Sequence, residues 1–307
     1  MGTSWNLSFV PGPGSPSGED VQAGVQAVLD TIEQSMSTYL PDSEISRFNA
    51  LPIDTWFEVS NDFFAVLSAA LAVGHDSEGA YDVSVGPLVD LWGFGPTPAT
   101  YKPPSEETIR EHLQRVGQDK LRLDREGVRL KKIAPLSLDF SSIAKGYAVD
   151  RVAAWLTEQG VQRFLVEVGG EMRMAGLSHR GDPWHVAIEQ PDASTRAVAA
   201  AISVTDASVA TSGDYRNYFE LYGKRYSHSI DPRTGYPVAH DLVSVTVIHP
   251  SAMMADAWAT ALIVLGAERA AAVAQAQGLA VYLIRRDGEG FASSHTAAFE
   301  PYLAGGV

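Results

Sequence analysis

From Ser251 to Gly266 the chain reads as a helix that is apolar on almost every side, with Trp258, Ala259, Leu262 and Ile263 among its residues. A helix of that kind has to be buried, so the rest of the chain must supply the layers that cover it. Ser251 is placed to cap its start and Gly266 to end it. Asp256 and Thr260 interrupt the apolar surface four residues apart, hence on one face and one turn apart. A carboxylate in such a place must be paired or hold a metal, because desolvating it alone costs several kcal/mol. Carboxylate and hydroxyl are hard oxygen donors, suited to Mg²⁺ rather than Zn²⁺. Pairing of Asp256 with a core arginine, or capping of a neighbouring loop, is the plain alternative.

The remaining elements follow from periodicity and turn chemistry. Trp5, Leu7 and Phe9 alternate as in a half-buried strand. Ser17 and Asp20 resemble a capping box that opens a helix with Val21, Val25, Val28, Leu29, Ile32 and Met36 on its apolar stripe, and Pro41 stops it. Thr38–Asn49 reads as irregular. Ser60 caps a helix to about Asp76. Gly79–Gly95 is strongly apolar, yet four glycines and Pro87 argue against a regular element, so it is expected to line a pocket. A surface helix over 105–117 and a hairpin over 119–132 come next. A strand is expected over Leu136–Phe140, and a helix from about Ser141 to Gln159 ends at Gly160. Strands near 164–168, 171–174, 184–189, 198–204 and 242–249 complete a sheet, and a helix and two strands follow Gly266. Without regular βαβ alternation the expected class is α+β, with mixed sheets and packed helices. No repeat or long linker divides residues 1–307, which are read as one compact domain.

With a formal net charge of −14, the chain is ill suited to non-specific nucleic-acid binding. An anionic ligand would need locally concentrated positive charge from a metal, a lysine or a helix N-terminus. Cysteine is absent, which excludes disulfides and thiolate metal sites. No apolar run is long enough to span a bilayer.

Chemically useful side chains crowd between Ala210 and Gly235: Thr211, Ser212, Asp214, Arg225, His228, Asp231, Arg233 and Thr234. Arg216–Leu221 and Arg225–Ile230 read as two strands joined by a turn at Gly223, with a second turn at Asp231–Gly235. His228 has the right ordinary pKa range for a general base, although a lone strand histidine is more often just an exposed one. Asp139–Gly146 joins a strand to a helix, where free N–H groups and Lys145 can receive an anion; the glycine spacing is not that of a P-loop. Gly169-Gly170-Glu171 is a tight turn that presents an acid or merely closes a hairpin.

Taken together and in order, these motifs resemble the FAD:protein FMN transferase, or ApbE, family of flavin transferases. The resemblance runs almost end to end. It rests on Met1-Gly2-Thr3, Ser37–Asn49, Tyr81-Asp82, Gly86-Pro87-Leu88 and Trp92–Gly95. It continues through Asp139–Asp150, Gly169-Gly170-Glu171, Thr211–Asp214, His228–Gly235 and Asp256–Thr260. It implies a T-fold-related architecture and an enzyme that uses Mg²⁺ to move the FMN half of FAD onto a threonine or serine hydroxyl of an acceptor protein, releasing AMP. By the same resemblance Asp256, Thr260 and the carbonyl of Ala144 are metal ligands and His228 is the base. Met1, Tyr39, Leu40, Ala80, Tyr81, Asp82, Lys145, Glu171, Ser212, Ile230 and Asp231 fall to the FAD site.

Two other activities fit the same residues: an FAD pyrophosphatase with water as acceptor, and a non-catalytic FAD-binding protein. The resemblance implies work in the periplasm or cell envelope, commonly membrane-anchored, on an acceptor such as a subunit of a membrane redox complex. Met1-Gly2-Thr3 coincides with an internal Met-Gly-Thr of the family, so an export segment ahead of it is expected.

Overall fold

A computed structural model of the chain describes residues 2–95, 102–191, 197–213, 218–221 and 223–303. Its helices are α1 (Gly18–Met36), α2 (Glu44–Ala50), α3 (Asn61–Asp76), α4 (Gly86–Leu91), α5 (Glu106–Leu113), α6 (Ala144–Glu158), α7 (Ala252–Leu265) and α8 (Ala267–Ala276). Strands β1 to β6 are Trp5–Phe9, Phe57–Glu58, Leu121–Asp124, Arg129–Lys132, Phe164–Val168 and Glu171–Ala175. Strands β7 to β11 are Trp184–Glu189, Val198–Val204, Ser208–Gly213, Tyr218–Leu221 and Lys224–Ser227. Strands β12 to β14 are Leu242–His249, Ala280–Asp287 and Gly290–His295. The chain forms two compact units, each assembled from separated segments: Met1–Thr31, Lys145–Arg216 and His240–Val307 in the first, Ile32–Ala144 and Asn217–Ala239 in the second.

The first unit is built on a seven-stranded sheet of order β1-β5-β6-β9-β12-β13-β14. Its described pairings are all antiparallel rather than mixed in direction. β12 is buried along nearly its whole length, as a central strand covered on both faces must be. The apolar helix α7 lies against β9 and β12, as its composition demands. On the other face Trp184, Ile188, Ile202 and Val204 pack with Met174, Val209, Val243, Tyr282 and Phe299. Strands β7 and β8 therefore form a separate two-stranded sheet, correcting the expectation that they extend the main one. Period-two alternation marks a half-buried strand but not the layer it belongs to. β9 is an interior strand that the sequence pattern does not announce, because its Ser, Thr and Gly are held by its neighbours. α1 packs on α6 at Gly24, where an added Cβ would lie 1.9 Å from the Trp155 ring.

The second unit contains α2–α5, the three-stranded sheet β2-β4-β3 and the β10–β11 hairpin. Leu88, Trp92, Ile109, Val116, Phe219 and Ile230 form a core here. Three expectations are corrected in this unit. Thr38–Asn49 is not wholly irregular: Ser43 accepts from Ser46 N–H at 3.1 Å and caps α2. Gly79–Gly95 does contain a helix, α4, because Pro87 sits in its first turn, where no N–H is needed. Leu136–Phe140 is not a strand. The Asn49 side chain pairs with it instead, accepting from Leu138 N–H at 2.7 Å and donating to Leu138 O at 2.8 Å. The following helix starts at Ala144 rather than Ser141.

Candidate functional site

In the first unit, three charged groups from distant parts of the chain meet on the α7 side of the sheet. The β5–β6 hairpin turns through Gly169 and Gly170, both left-handed (φ 61° and 103°), a two-residue loop that glycine permits. It delivers Glu171, 4 % exposed, into the layer where Asp256 of α7 lies 2 % exposed. Lys145, the second residue of α6, places Nζ 2.8 Å from Glu171 Oε1 and 3.5 Å from Asp256 Oδ1. The Gly146 N–H donates to Asp256 Oδ2 at 3.0 Å. A Cβ at Gly146 would fall 2.2 Å from the Ala252 carbonyl oxygen, so only glycine lets α6 approach α7 this closely.

Two carboxylates thus share one ammonium. Burial works against the Lys145 charge, but Asp256 and Glu171 outweigh it and hold its pKa above the usual lysine value. Burial, reinforced by the charge of Asp256, pushes the Glu171 carboxyl up to about 8 against the pull of Lys145. Among the described residues, the buried Glu171 Oε2 has no hydrogen-bond partner. Nearby, Ser212 Oγ of β9 lies 3.2 Å from Thr260 Oγ1 of α7. Strand alternation turns Thr211 the other way, with its Oγ1 2.9 Å from Thr246 Oγ1.

Among the described residues no group of three or more His, Asp and Glu side chains is arranged to hold a metal ion. An all-oxygen set of one carboxylate, one hydroxyl and a backbone carbonyl is a different case, and Asp256 and Thr260 supply its first two members from successive turns of one helix. The buried Asp256 carboxylate and the Glu171 oxygen without a partner among the described residues are hard donors that suit a divalent cation. The residues present fit Mg²⁺.

At the α6 junction, fewer N–H groups are open to an anion than the sequence implies. Ser141 N–H donates to Asp139 Oδ1 at 2.7 Å, and those of Ile143 and Ala144 donate to Phe140 O. Lys145 is the charged group of that motif.

The second unit holds the other residues that the motifs single out. Tyr39 is 70 % exposed, on a turn beside the half-buried Leu40. Ala80 and Tyr81 are buried, and the Tyr81 hydroxyl accepts from Ser142 Oγ at 3.0 Å. Asp82 is occupied locally, accepting from Ser84 N–H and Oγ and from Gln118 N–H. The expected β10–β11 hairpin is present, with Gly223 at φ 74°. His228, half-buried just beyond β11, meets the Phe94 ring edge-on at a centroid distance of 6.3 Å. Ile230 is buried and bridges to Pro237. The Asp231 carboxylate is gripped by Arg233 through Nε at 2.9 Å and Nη2 at 2.8 Å. Met1 and Asp214 lie outside the described residues.

Sequence motifs do not single out Asp150 of α6 for a role of its own. Its carboxylate accepts from Ser251 Oγ at 2.7 Å, Ala252 N–H at 2.8 Å and Met253 N–H at 3.0 Å, all at the start of α7. The available signal is its position four residues after Gly146, on the same face of α6.

The ApbE family model matches residues 1–283. The FAD:protein FMN transferase of Haemophilus influenzae is 44% identical over 306 residues, covering 98% of this chain and 88% of that protein. The FAD:protein FMN transferase of Vibrio cholerae is 43% identical over 305 residues, covering 99% and 91%. Among solved structures, the flavin transferase ApbE from Vibrio cholerae superposes with a TM-score of 0.91 at 41% identity, covering 99% of this chain and 96% of its own. The apo flavinyl transferase ApbE from Pseudomonas stutzeri gives 0.92 at 40% identity, covering 100% and 95%. The α+β class is borne out by these likenesses, and with a family match over most of its length the chain belongs to the ApbE family.

Proposed function

We propose that this chain is an FAD:protein FMN transferase that attaches FMN through a phosphoester to a threonine or serine of an acceptor protein, with AMP as leaving group. The observation that carries this reading is the likeness, over 98% of the chain, to a relative of that name. The first unit's chemistry supports it, because a pyrophosphate must be met by positive charge in an otherwise acidic protein. When bound to Asp256, Thr260 and the Ala144 carbonyl, Mg²⁺ would neutralise charge developing on the phosphates.

Lys145, held charged chiefly by Asp256, contributes a fixed ammonium to the same task. Glu171 orients that ammonium through its 2.8 Å contact with Nζ. His228 takes the proton of the acceptor hydroxyl as its oxygen attacks the FMN phosphorus and the bridging P–O bond to AMP breaks. Asp231 is a poorer candidate for that role, since Arg233 already holds both its oxygens. The exposed ring of Tyr39 is free to stack on a flat ligand. Met1, Leu40, Ala80, Tyr81, Asp82, Ser212 and Ile230 are assigned to the FAD site with it. The acceptor is a cell-envelope protein such as a subunit of a membrane redox complex, which puts the enzyme in the same compartment. No described helix is long and apolar enough to cross a membrane.

The test is mass spectrometry of a candidate acceptor incubated with this protein, FAD and Mg²⁺. Addition of one FMN phosphoester to a threonine or serine, with matching AMP, is the expected result. Steady AMP release without an acceptor would make the chain a pyrophosphatase, and unchanged bound FAD would make it a binding protein.

A further inference from the structure

We infer that Asp150 is a positioning residue that sets the approach of α6 to α7 and thereby holds Gly146 N–H and Lys145 on Asp256. Three observations converge on it. α7 has no acidic residue in its own first turn, so nothing there offsets its positive end. Its cap, Ser251, reaches Met254 N–H at 3.3 Å. The Ala252 and Met253 N–H groups and the Ser251 hydroxyl are all taken by Asp150, which belongs to a different helix. A cap supplied from within a helix fixes only that helix; one supplied across two helices fixes their relative position as well.

The consequence falls on the charged cluster. Gly146 lies one turn before Asp150 on α6, and Asp256 lies one turn inside α7. At Gly146 the helices touch backbone to backbone, and the Gly146 N–H bond to Asp256 Oδ2 spans that contact. Asp150, with three charge-assisted hydrogen bonds, is the stronger of the two attachments. Without it, α6 can slide along α7, and both the amide and the ammonium leave Asp256. Asp150 touches none of the reacting groups, so its effect on them passes through helix position alone.

Only the metal-binding readout rests on the transferase reading. The experiment compares the parent, Asp150→Ala, Asp150→Asn and Ser105→Ala, the last removing a cap that serves Thr108 N–H on α5. The first measurement is hydrogen exchange at the Gly146 amide, relative to amides of β12. Asp150→Ala is expected to lower Gly146 protection by at least about tenfold more than β12 protection, while Ser105→Ala leaves that ratio unchanged. The second is Mg²⁺ binding by calorimetry in the presence of FAD, where Asp150→Ala should weaken affinity by about 10–100-fold, the usual loss when support behind a metal ligand is removed. Asp150→Asn keeps the size and one acceptor oxygen, so it should fold if the alanine variant does not, and should give a smaller shift in the same direction. Unchanged Gly146 protection in a folded Asp150 variant would overturn the inference, as would Mg²⁺ affinity within about twofold of the parent alongside a Ser105→Ala-like loss of stability. A parent protein that binds no Mg²⁺ would sink the transferase reading instead, and the exchange measurement would still decide the role of Asp150.

Discussion

At the residue scale, the fold sets Lys145 against the buried carboxylates of Glu171 and Asp256. Asp256→Ala removes the carboxylate of the proposed metal set and leaves Thr260, whose hydroxyl cannot hold Mg²⁺ alone. The variant should fold, since the Lys145–Glu171 pair remains, but Mg²⁺-dependent turnover should drop at least about a hundredfold. Retention of most activity at saturating Mg²⁺ would move the metal site elsewhere. Glu171 supplies a pH dependence of defined sign. Its folded pKa, about 8, stands above its ordinary 4.5. Between those values the folded state keeps a proton that the unfolded state has lost, so the contribution of Glu171 to metal-free stability is fully present below about 4.5 and is lost as pH rises through about 8. Urea unfolding across that range in the presence of a chelator should show the decline in the parent and a flatter profile in Glu171→Gln; identical slopes would assign it to other groups. His228→Ala should bind FAD and Mg²⁺ nearly normally but transfer FMN about 10²–10⁴-fold more slowly. Weakened FAD binding with a normal single-turnover rate would make His228 a ligand contact.

At the element scale, a second close helix contact joins α1 to α6, at Gly24 and Trp155. Two effects of Gly24→Ala oppose each other. Alanine favours the helix by about 1 kcal/mol, while overpacking against the ring costs about 1–3 kcal/mol. With the added Cβ only 1.9 Å from the indole, the steric cost should win and the variant should be less stable. In a Trp155→Ala background the same substitution should become neutral or stabilising, because only the helix preference remains. Chemical denaturation of the four proteins checks this, and additive effects would mean that the ring simply swings aside. Element boundaries divide along the same line between local and distant causes. The caps at Ser17, Ser60 and Ser251 are legible in the sequence because each acts within three residues. The Leu136–Phe140 segment is not, because its apolar alternation is that of a strand while its partner is the side chain of Asn49, 89 residues away.

At the scale of the whole molecule, the two units are interleaved in sequence, so no linker composition marks where one stops. A fragment spanning 32–144 would lack the β10–β11 hairpin and strip Leu88, Trp92 and Ile109 of Phe219 and Ile230. It should therefore show no cooperative thermal transition by circular dichroism, and a sharp one would mean that α2–α5 and the small sheet suffice as a core. The sequence by itself determined the α+β class, the buried helix carrying Asp256 and Thr260, the Gly169-Gly170 turn and the motifs that resemble one family. Each of these depends on side-chain periodicity, capping or backbone freedom within a few residues, which the order of amino acids states directly. Tertiary structure alone decided that β7 and β8 form their own layer, that Ser212 meets Thr260, and that Lys145 lies between Glu171 and Asp256. Those outcomes depend on contacts such as Gly146 to Asp256, 110 residues apart. Their strength comes from burial and geometry that exist only once the sheet and helices have packed.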